Sequence, residues 1–244
     1  GLERVRGNLS ANYTLTTNIT DIGDIDPIGG SLHWDSTTPA FTGTFDGQGN
    51  EIRDIRLDEV DDLSESIGLF AQVGQSTSII NDPGKIRNLT VRNATVDVEN
   101  YDLQDIGIIV GNIDAGSVAR VHAHGDINVK TGSSFYETNF GGLVGAVRSD
   151  NRYPTVSNAS ANVSINATSV STRKSDNVGG LVGTVAAGNL TGSYATGTVS
   201  TGGNNTGGLV GKLDGGNVTD SFATVNVRSS GNGTGGLIGR TSGE

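Results

Sequence analysis

The sequence predicts an all-β fold, a single elongated β-solenoid, and three observations predict it. A five-residue phrase returns as Gly179-Gly180-Leu181-Val182-Gly183, Gly207-Gly208-Leu209-Val210-Gly211 and Gly235-Gly236-Leu237-Ile238-Gly239, 28 residues apart each time. The match continues between the phrases, where Gly188-Asn189-Leu190-Thr191 and Ser193-Tyr194-Ala195-Thr196 align with Gly216-Asn217-Val218-Thr219 and Ser221-Phe222-Ala223-Thr224. A fixed period of this length marks an array in which each unit buries its apolar face only against its neighbours. Finally, the apolar residues are Val, Ile, Leu and Ala in short runs among 38 glycines and 4 prolines. Such runs suit strands, and no stretch of ten residues follows a helical period.

In chain order, residues 1–66 differ from the repeats and are expected to form an N-terminal cap and the first rungs. Tyr13 to Ile19 reads as an alternating strand, and Asp21 to Gly29 as a turn-rich connection. Ala40 to Ile52 reads as strand, tight turn, strand, with Asp46-Gly47 supplying positive backbone angles. The array itself spans 67–244, in units starting near 67, 106, 141, 179, 207 and 235, the last incomplete. Its early copies are looser: Ile67-Gly68-Leu69-Phe70-Ala71, then Ile106-Gly107-Ile108-Ile109-Val110-Gly111, then Phe140-Gly141-Gly142-Leu143-Val144-Gly145 with an insertion around Ser149 to Pro154.

Within a rung, Leu209 and Leu213 are expected to share one strand face, as are Ala223, Val225 and Val227. Stacking should then place Leu181 over Leu209 and Leu237, and Tyr194 over Phe222. The structural column of the phrase is Leu69, Ile108, Leu143, Leu181, Leu209 and Leu237. Burying one such leucine is worth roughly 1.5–3 kcal/mol. The bracketing glycines let the chain turn corners and let backbones pass closely.

Charge and composition exclude several classes. The net charge is −10, from 19 Asp and 7 Glu against 12 Arg and 4 Lys. This argues against nucleic acid or an anionic membrane as partner. The Asp-over-Glu and Arg-over-Lys bias resembles that of proteins from salt-loving archaea, where molar salt shortens the Debye length to about 3 Å. There is no cysteine, hence no disulfide scaffold, thiol nucleophile or thiolate metal site. No signal peptide or membrane span is visible in these residues. The last unit stops soon after Ile238-Gly239, which reads as part of a longer protein or a subunit whose end another chain covers. Sequons at Asn8, Asn12, Asn18, Asn88, Asn93, Asn158, Asn162, Asn166, Asn189, Asn204, Asn217 and Asn232 make N-glycosylation and an extracellular, cell-surface location the expectation. Asn158, Asn162 and Asn166 are not all expected to face one way if the strand bends between them.

Candidate chemistry is sparse. His122 and His124 lie two apart on a strand and could share a metal, with His33 as a third ligand. His122 aligns with Tyr194 and Phe222, however, so it is expected to fill a core slot. Asp58, Asp61, Asp62 and Glu65 could hold calcium through their carboxylates, but the spacing fits no EF-hand, and a solvated acidic loop is expected instead. Asp46-Gly47-Gln48-Gly49 is turn chemistry, because no helix follows to cradle a phosphate. Asp24 with Asp26, or Asp102 with Asp105, could reach the 5–10 Å carboxyl separations that glycosidases use, roughly, as could many pairs in so acidic a chain. No H-E-x-x-H occurs, so metallopeptidase chemistry cannot reside here. No catalytic residue and no cofactor is expected.

The run Phe41 to Ile52, the Ile67-Gly68-Leu69-Phe70 step, the repeated Gly-Gly-Leu-Val-Gly and the Ser193-Tyr194-Ala195-Thr196-Gly197 segment together resemble the GLUG-repeat family of surface proteins. The resemblance covers nearly the whole chain. It implies a β-solenoid, specifically a right-handed parallel β-helix, serving as stalk or adhesive surface. It implies no catalytic residues, although GLUG repeats also stand beside the catalytic unit of IgA-protease-type metallopeptidases. The chain departs from the pattern in the longer units between Gly68 and Gly180, whose extra loops are where a binding face is expected. Three functions follow as expectations: a non-enzymatic surface or appendage protein that self-associates or binds surface glycans, a carbohydrate-active β-helix, or a trimeric receptor-binding fibre of a virus.

Overall fold

The computed structural model describes residues 1–30, 39–58, 66–76, 81–98, 105–129, 137–149, 153–167 and 176–242. The chain is a parallel β-solenoid with three faces: one 13-stranded sheet and two six-stranded sheets. A representative coil lays Asn189–Thr191 and Tyr194–Thr201 on the long sheet, Asn205–Gly207 on the second and Val210–Leu213 on the third. Six coils contribute one strand to each short sheet, and parallel bridges from Ile28 to Phe70 and from Phe41 to Val73 mark one earlier coil. Among the described residues the only antiparallel pair is Gln75–Ser76 with Asn81–Asp82. The short helix Glu3–Gly7 lies at the N-terminal end with Leu2 and Val5 buried.

Period-two alternation decides which side chains go inside. Along Ser160–Ala167, Ala161, Val163, Ile165 and Ala167 are buried while Asn162, Ser164 and Asn166 are exposed. Equivalent residues stack coil on coil. Ile106, Phe140, Val178 and Thr206 form one column, and Val110, Val144, Val182 and Val210 another. At the N-terminal end the core is filled by larger rings, with Phe70 4.9 Å from Phe41 and 5.4 Å from Phe45 between centroids.

The repeated phrase is the corner between the two short sheets. Leu209 sits in the bend between Asn205–Gly207 and Val210–Leu213, so it does not share a strand face with Leu213 as the spacing suggested. The expected column does form: Leu143 N–H donates to the Leu181 carbonyl, Leu181 to Leu209 and Leu209 to Leu237, at 2.9–3.0 Å. Leu69, Ile108, Leu143, Leu181 and Leu209 are fully buried, while Leu237 in the last coil is 39% exposed. The glycines are required by space. A Cβ on Gly207 would lie 1.9 Å from the Val210 carbonyl oxygen, and the same clash recurs at Gly141 and Gly179.

Two further readings are corrected. Asp46-Gly47 is not a hairpin turn, because Thr44–Asp46 and Glu51–Arg53 run onward in the same direction and both pair parallel with Gly84–Val98. The positive φ falls instead on Gln48 and Gly49, at 51° and 80°. His122 does stack in the column of Tyr194 and Phe222, through Ser160, but this column lies outside the solenoid. Tyr194 and Phe222 are 38% and 54% exposed, their rings stacked 5.1 Å apart, and His122 is half-buried. The core beside them is filled by Ala123, Ala161 and Ala195, because the coil is too narrow there for a ring.

Candidate functional site

The outer surface of the long sheet carries the polar chemistry. The coils bend there through left-handed residues, one set of which stacks: Asn88, Arg120, Asn158, Gly192 and Asp220, with φ between 50° and 59°. Asn, Asp and Gly tolerate this backbone, whereas an arginine in it is an outlier.

Around the bend, neighbouring coils are tied by charged and amide groups. Asp46 accepts from Asn88 Nδ2 and Arg87 Nε, each at 2.9 Å, and Arg56 reaches Asp97 at 2.9 Å. Glu51 accepts from Arg53 and Arg92, at 2.7 and 2.9 Å. Hydrogen bonds from Asn88 and the Gln48 backbone, with Arg87 beside it, hold the Asp46 carboxyl below the usual range. Arg92 and then Arg53 do the same for Glu51.

His122 and His124 share the outward face of Gly116–Val129, and His122 Nδ1 lies 2.7 Å from Ser160 Oγ. Burial, followed by the nearby Arg92, pushes both imidazoles down, so both are neutral at pH 7. His33 lies outside the described residues. Among the described residues no three metal-ligating side chains come together. Asp58 ends the strand Ile55–Asp58, whereas Asp61, Asp62 and Glu65 lie outside the described residues.

An open groove of about 460 Å³ crosses three coils beside the bend, lined by Gln48, Asn88, Leu89, Thr90, Arg120 and His122. Arg120 Nε donates to Asn88 Oδ1 at 2.6 Å, and Asn88 in turn is anchored on Asp46.

Of the two carboxylate pairs, only Asp24 with Asp26 lies wholly within the described residues. Asp24 and Asp26 are both exposed. Asp105 is 2% exposed, accepting from Arg148 and Asn139, and Asp102 lies outside the described residues. Asp105 instead starts an interior amide ladder absent from the sequence reading. Asn139 Nδ2 donates to Asp105, Asn177 to Asn139 and Asn205 to Asn177, at 2.8, 2.7 and 2.6 Å. Its signal was legible: an asparagine stands two residues before the first glycine of each of these corners.

None of the twelve sequon asparagines is buried. Asn88, Asn189 and Asn204 are half-buried and the others exposed, including Asn158, Asn162 and Asn166 together, since the bend at Asn158 leaves all three outside.

Comparison with known proteins agrees with this geometry. The model of the GLUG motif matches residues 175–200 and 202–228. The chain is 34% identical over 142 residues to halomucin of Haloquadratum walsbyi, a match covering 57% of this chain and 1% of that protein. Among solved structures it resembles an IgA1 protease with a TM-score of 0.57 at 16% identity, covering all of this chain and 20% of that one. It also resembles a Bacteroides ovatus protein described as an immunoglobulin A1 protease, with a TM-score of 0.60 at 16% identity, covering 97% of this chain and 81% of that one. At this identity the structural likeness shows the fold alone. Phrase, corner and ladder converge with these matches, which identify residues 175–200 and 202–228 as GLUG repeats.

Proposed function

We propose that this chain is a rigid, non-enzymatic segment of a cell-surface protein of a salt-loving archaeon, acting as a stalk or adhesive element and carrying N-linked glycans. The observation that carries the reading is the coil-to-coil ladder, parallel from Asn12–Thr14 to Ile238–Thr241. Such a stack transmits load along its axis while leaving its outer faces to vary. The similarity to halomucin, the acidic Asp-rich composition and the outward display of sequons support the location.

Glycopeptide mass spectrometry of the native protein, combined with protease treatment of intact cells, tests this reading. Asn162, exposed in mid-strand, is expected to carry glycan; Asn88, tied to Asp46 and Arg120, is not. A protein unmodified at every sequon and protected from protease on intact cells would overturn the surface assignment.

A further inference from the structure

The groove beside the bend is lined by residues that also tie neighbouring coils, and one of them, Arg120, is placed at a cost. Arg120 occupies the left-handed position that Asn88, Asn158, Gly192 and Asp220 fill in other coils. An arginine there costs about 1–2 kcal/mol of backbone strain that Asn or Gly would avoid. Its neighbours Arg87 and Arg92 are each paired with a carboxylate, at Asp46 and Glu51. Among the described residues Arg120 meets none within ion-pair distance, and its one hydrogen bond is from Nε to the neutral Asn88. That bond leaves the two terminal nitrogens for a ligand, and Asn88 is itself fixed by Asp46, so the guanidinium is held in advance.

The rest of the lining is hydroxyl, amide and imidazole: Thr90, Gln48 and His122, with Leu89 the single apolar member. Ser160 engages His122 Nδ1, and the neutral ring keeps Nε2 for a hydroxyl. A peptide would require apolar pockets or an open sheet edge, and this is a sheet face. A polyanion would meet the surrounding carboxylates of an acidic chain, so a single isolated cation suits a single negative group.

We propose that this groove binds an anionic sugar, a ring bearing one carboxylate or sulfate, with Arg120 receiving the anion and Gln48, Thr90 and His122 its hydroxyls. Asn88 is a positioning residue. The inference stands on the groove and not on where the protein resides, so its failure would leave the surface reading intact.

The test uses the whole chain, with folding checked by circular dichroism at the salt concentration of the titration. The methyl glycosides of galacturonate and of galactose 6-sulfate, each bearing one negative charge, are titrated calorimetrically against neutral methyl galactoside. At least one anionic probe is expected to bind roughly tenfold or more tightly than the neutral sugar, as a charge-assisted contact requires. Arg120→Asn is the decisive variant, because asparagine suits the left-handed backbone and the fold should melt at the same temperature or higher. It is expected to lose that preference while remaining folded. Equal binding of neutral and anionic probes, no binding of either anion, or undiminished preference in Arg120→Asn would each overturn the proposal.

Discussion

The interior amide ladder makes a quantitative prediction. Asn177 is fully buried; its Nδ2 donates to Asn139 and to Glu137, which also accepts from Lys212, and its Oδ1 accepts from Asn205 Nδ2 at 2.6 Å. Asn177→Ala leaves the Asn205 donor without that acceptor, whereas Asn139 Oδ1 still accepts from Thr184 Oγ1 at 2.5 Å. One orphaned buried donor costs about 1–3 kcal/mol. The void left by the amide, on the order of 40 Å³, adds about 1 kcal/mol. The loss should therefore be about 2–4 kcal/mol in urea denaturation. A double-mutant cycle then separates a ladder from three independent sites. Asn139→Ala with Asn177→Ala removes a shared bond and should show a coupling of about 0.5–3 kcal/mol. Asn139→Ala with Asn205→Ala removes no bond common to both but shares Asn177 as partner, so its coupling should be clearly smaller than that of the adjacent pair. Equal coupling in both cycles, or none in either, would refute the account of the ladder as a chain of nearest-neighbour bonds.

The corner glycines give a sharper contrast within one repeated phrase. Gly207→Ala would force a Cβ to 1.9 Å from a carbonyl oxygen and should prevent folding, while Gly236→Ala, with nothing within 4 Å, should change stability by no more than about 0.5 kcal/mol. Equal thermal melts for the two variants would contradict the tight corner. Stability should also fall on acidification, in two stages. His122 and His124 bind protons less readily when folded, through burial and then Arg92, and Asp46 and Glu51 likewise through their hydrogen-bond donors. Lowered folded values mean that protonation favours the unfolded chain, so this contribution is complete above the ordinary pKa and lost below it. The histidine stage begins below about pH 6.5 and the carboxylate stage below about pH 4. The urea midpoint of a His122→Gln, His124→Gln variant should lack the first stage; a wild-type midpoint flat from pH 7 to 5 would contradict the argument.

Much of this was legible because stacking repeats each local choice. The leucine of the phrase, the corner glycines and the alternation along Ser160–Ala167 each return coil after coil. The errors have a common origin, which is that register along the axis fixes which residues stack but not on which side they lie. His122 shares a column with Tyr194 and Phe222, and that aromatic alignment suggests the core, yet the flanking Ala123, Ala195 and Ala223 face inward. In a coil narrow enough for alanine, size excludes the ring and alternation overrides hydrophobicity. Period two carried through Gly207-Gly208 puts Leu209 on the strand of Leu213, but the backbone bends there and the parity is reset. The groove was not visible because its residues, Gln48, Asn88 and Arg120, are separated by 40 and 32 positions and meet only when coils of unequal length are stacked.

The inner and outer ladders answer differently to salt, and this bears on why the chain has both. The exposed pairs, Arg56 with Asp97 and Arg87 with Asp46, are individually worth about 0–1 kcal/mol and weaken as ions screen them. The asparagine ladder carries no net charge along Asn139, Asn177 and Asn205, and the apolar columns carry none at all. The amide-to-amide bonds and the apolar columns are buried, although the ladder touches charge at Asp105 and Glu137, and excluded salts strengthen apolar burial. The charge of −10 repels itself less as the Debye length contracts. In brine, then, the terms that fail are the weak ones at the surface, while those that set coil upon coil persist. A solenoid held from within by neutral ladders can vary its acidic exterior, its sequons and its groove without loosening the stack beneath them.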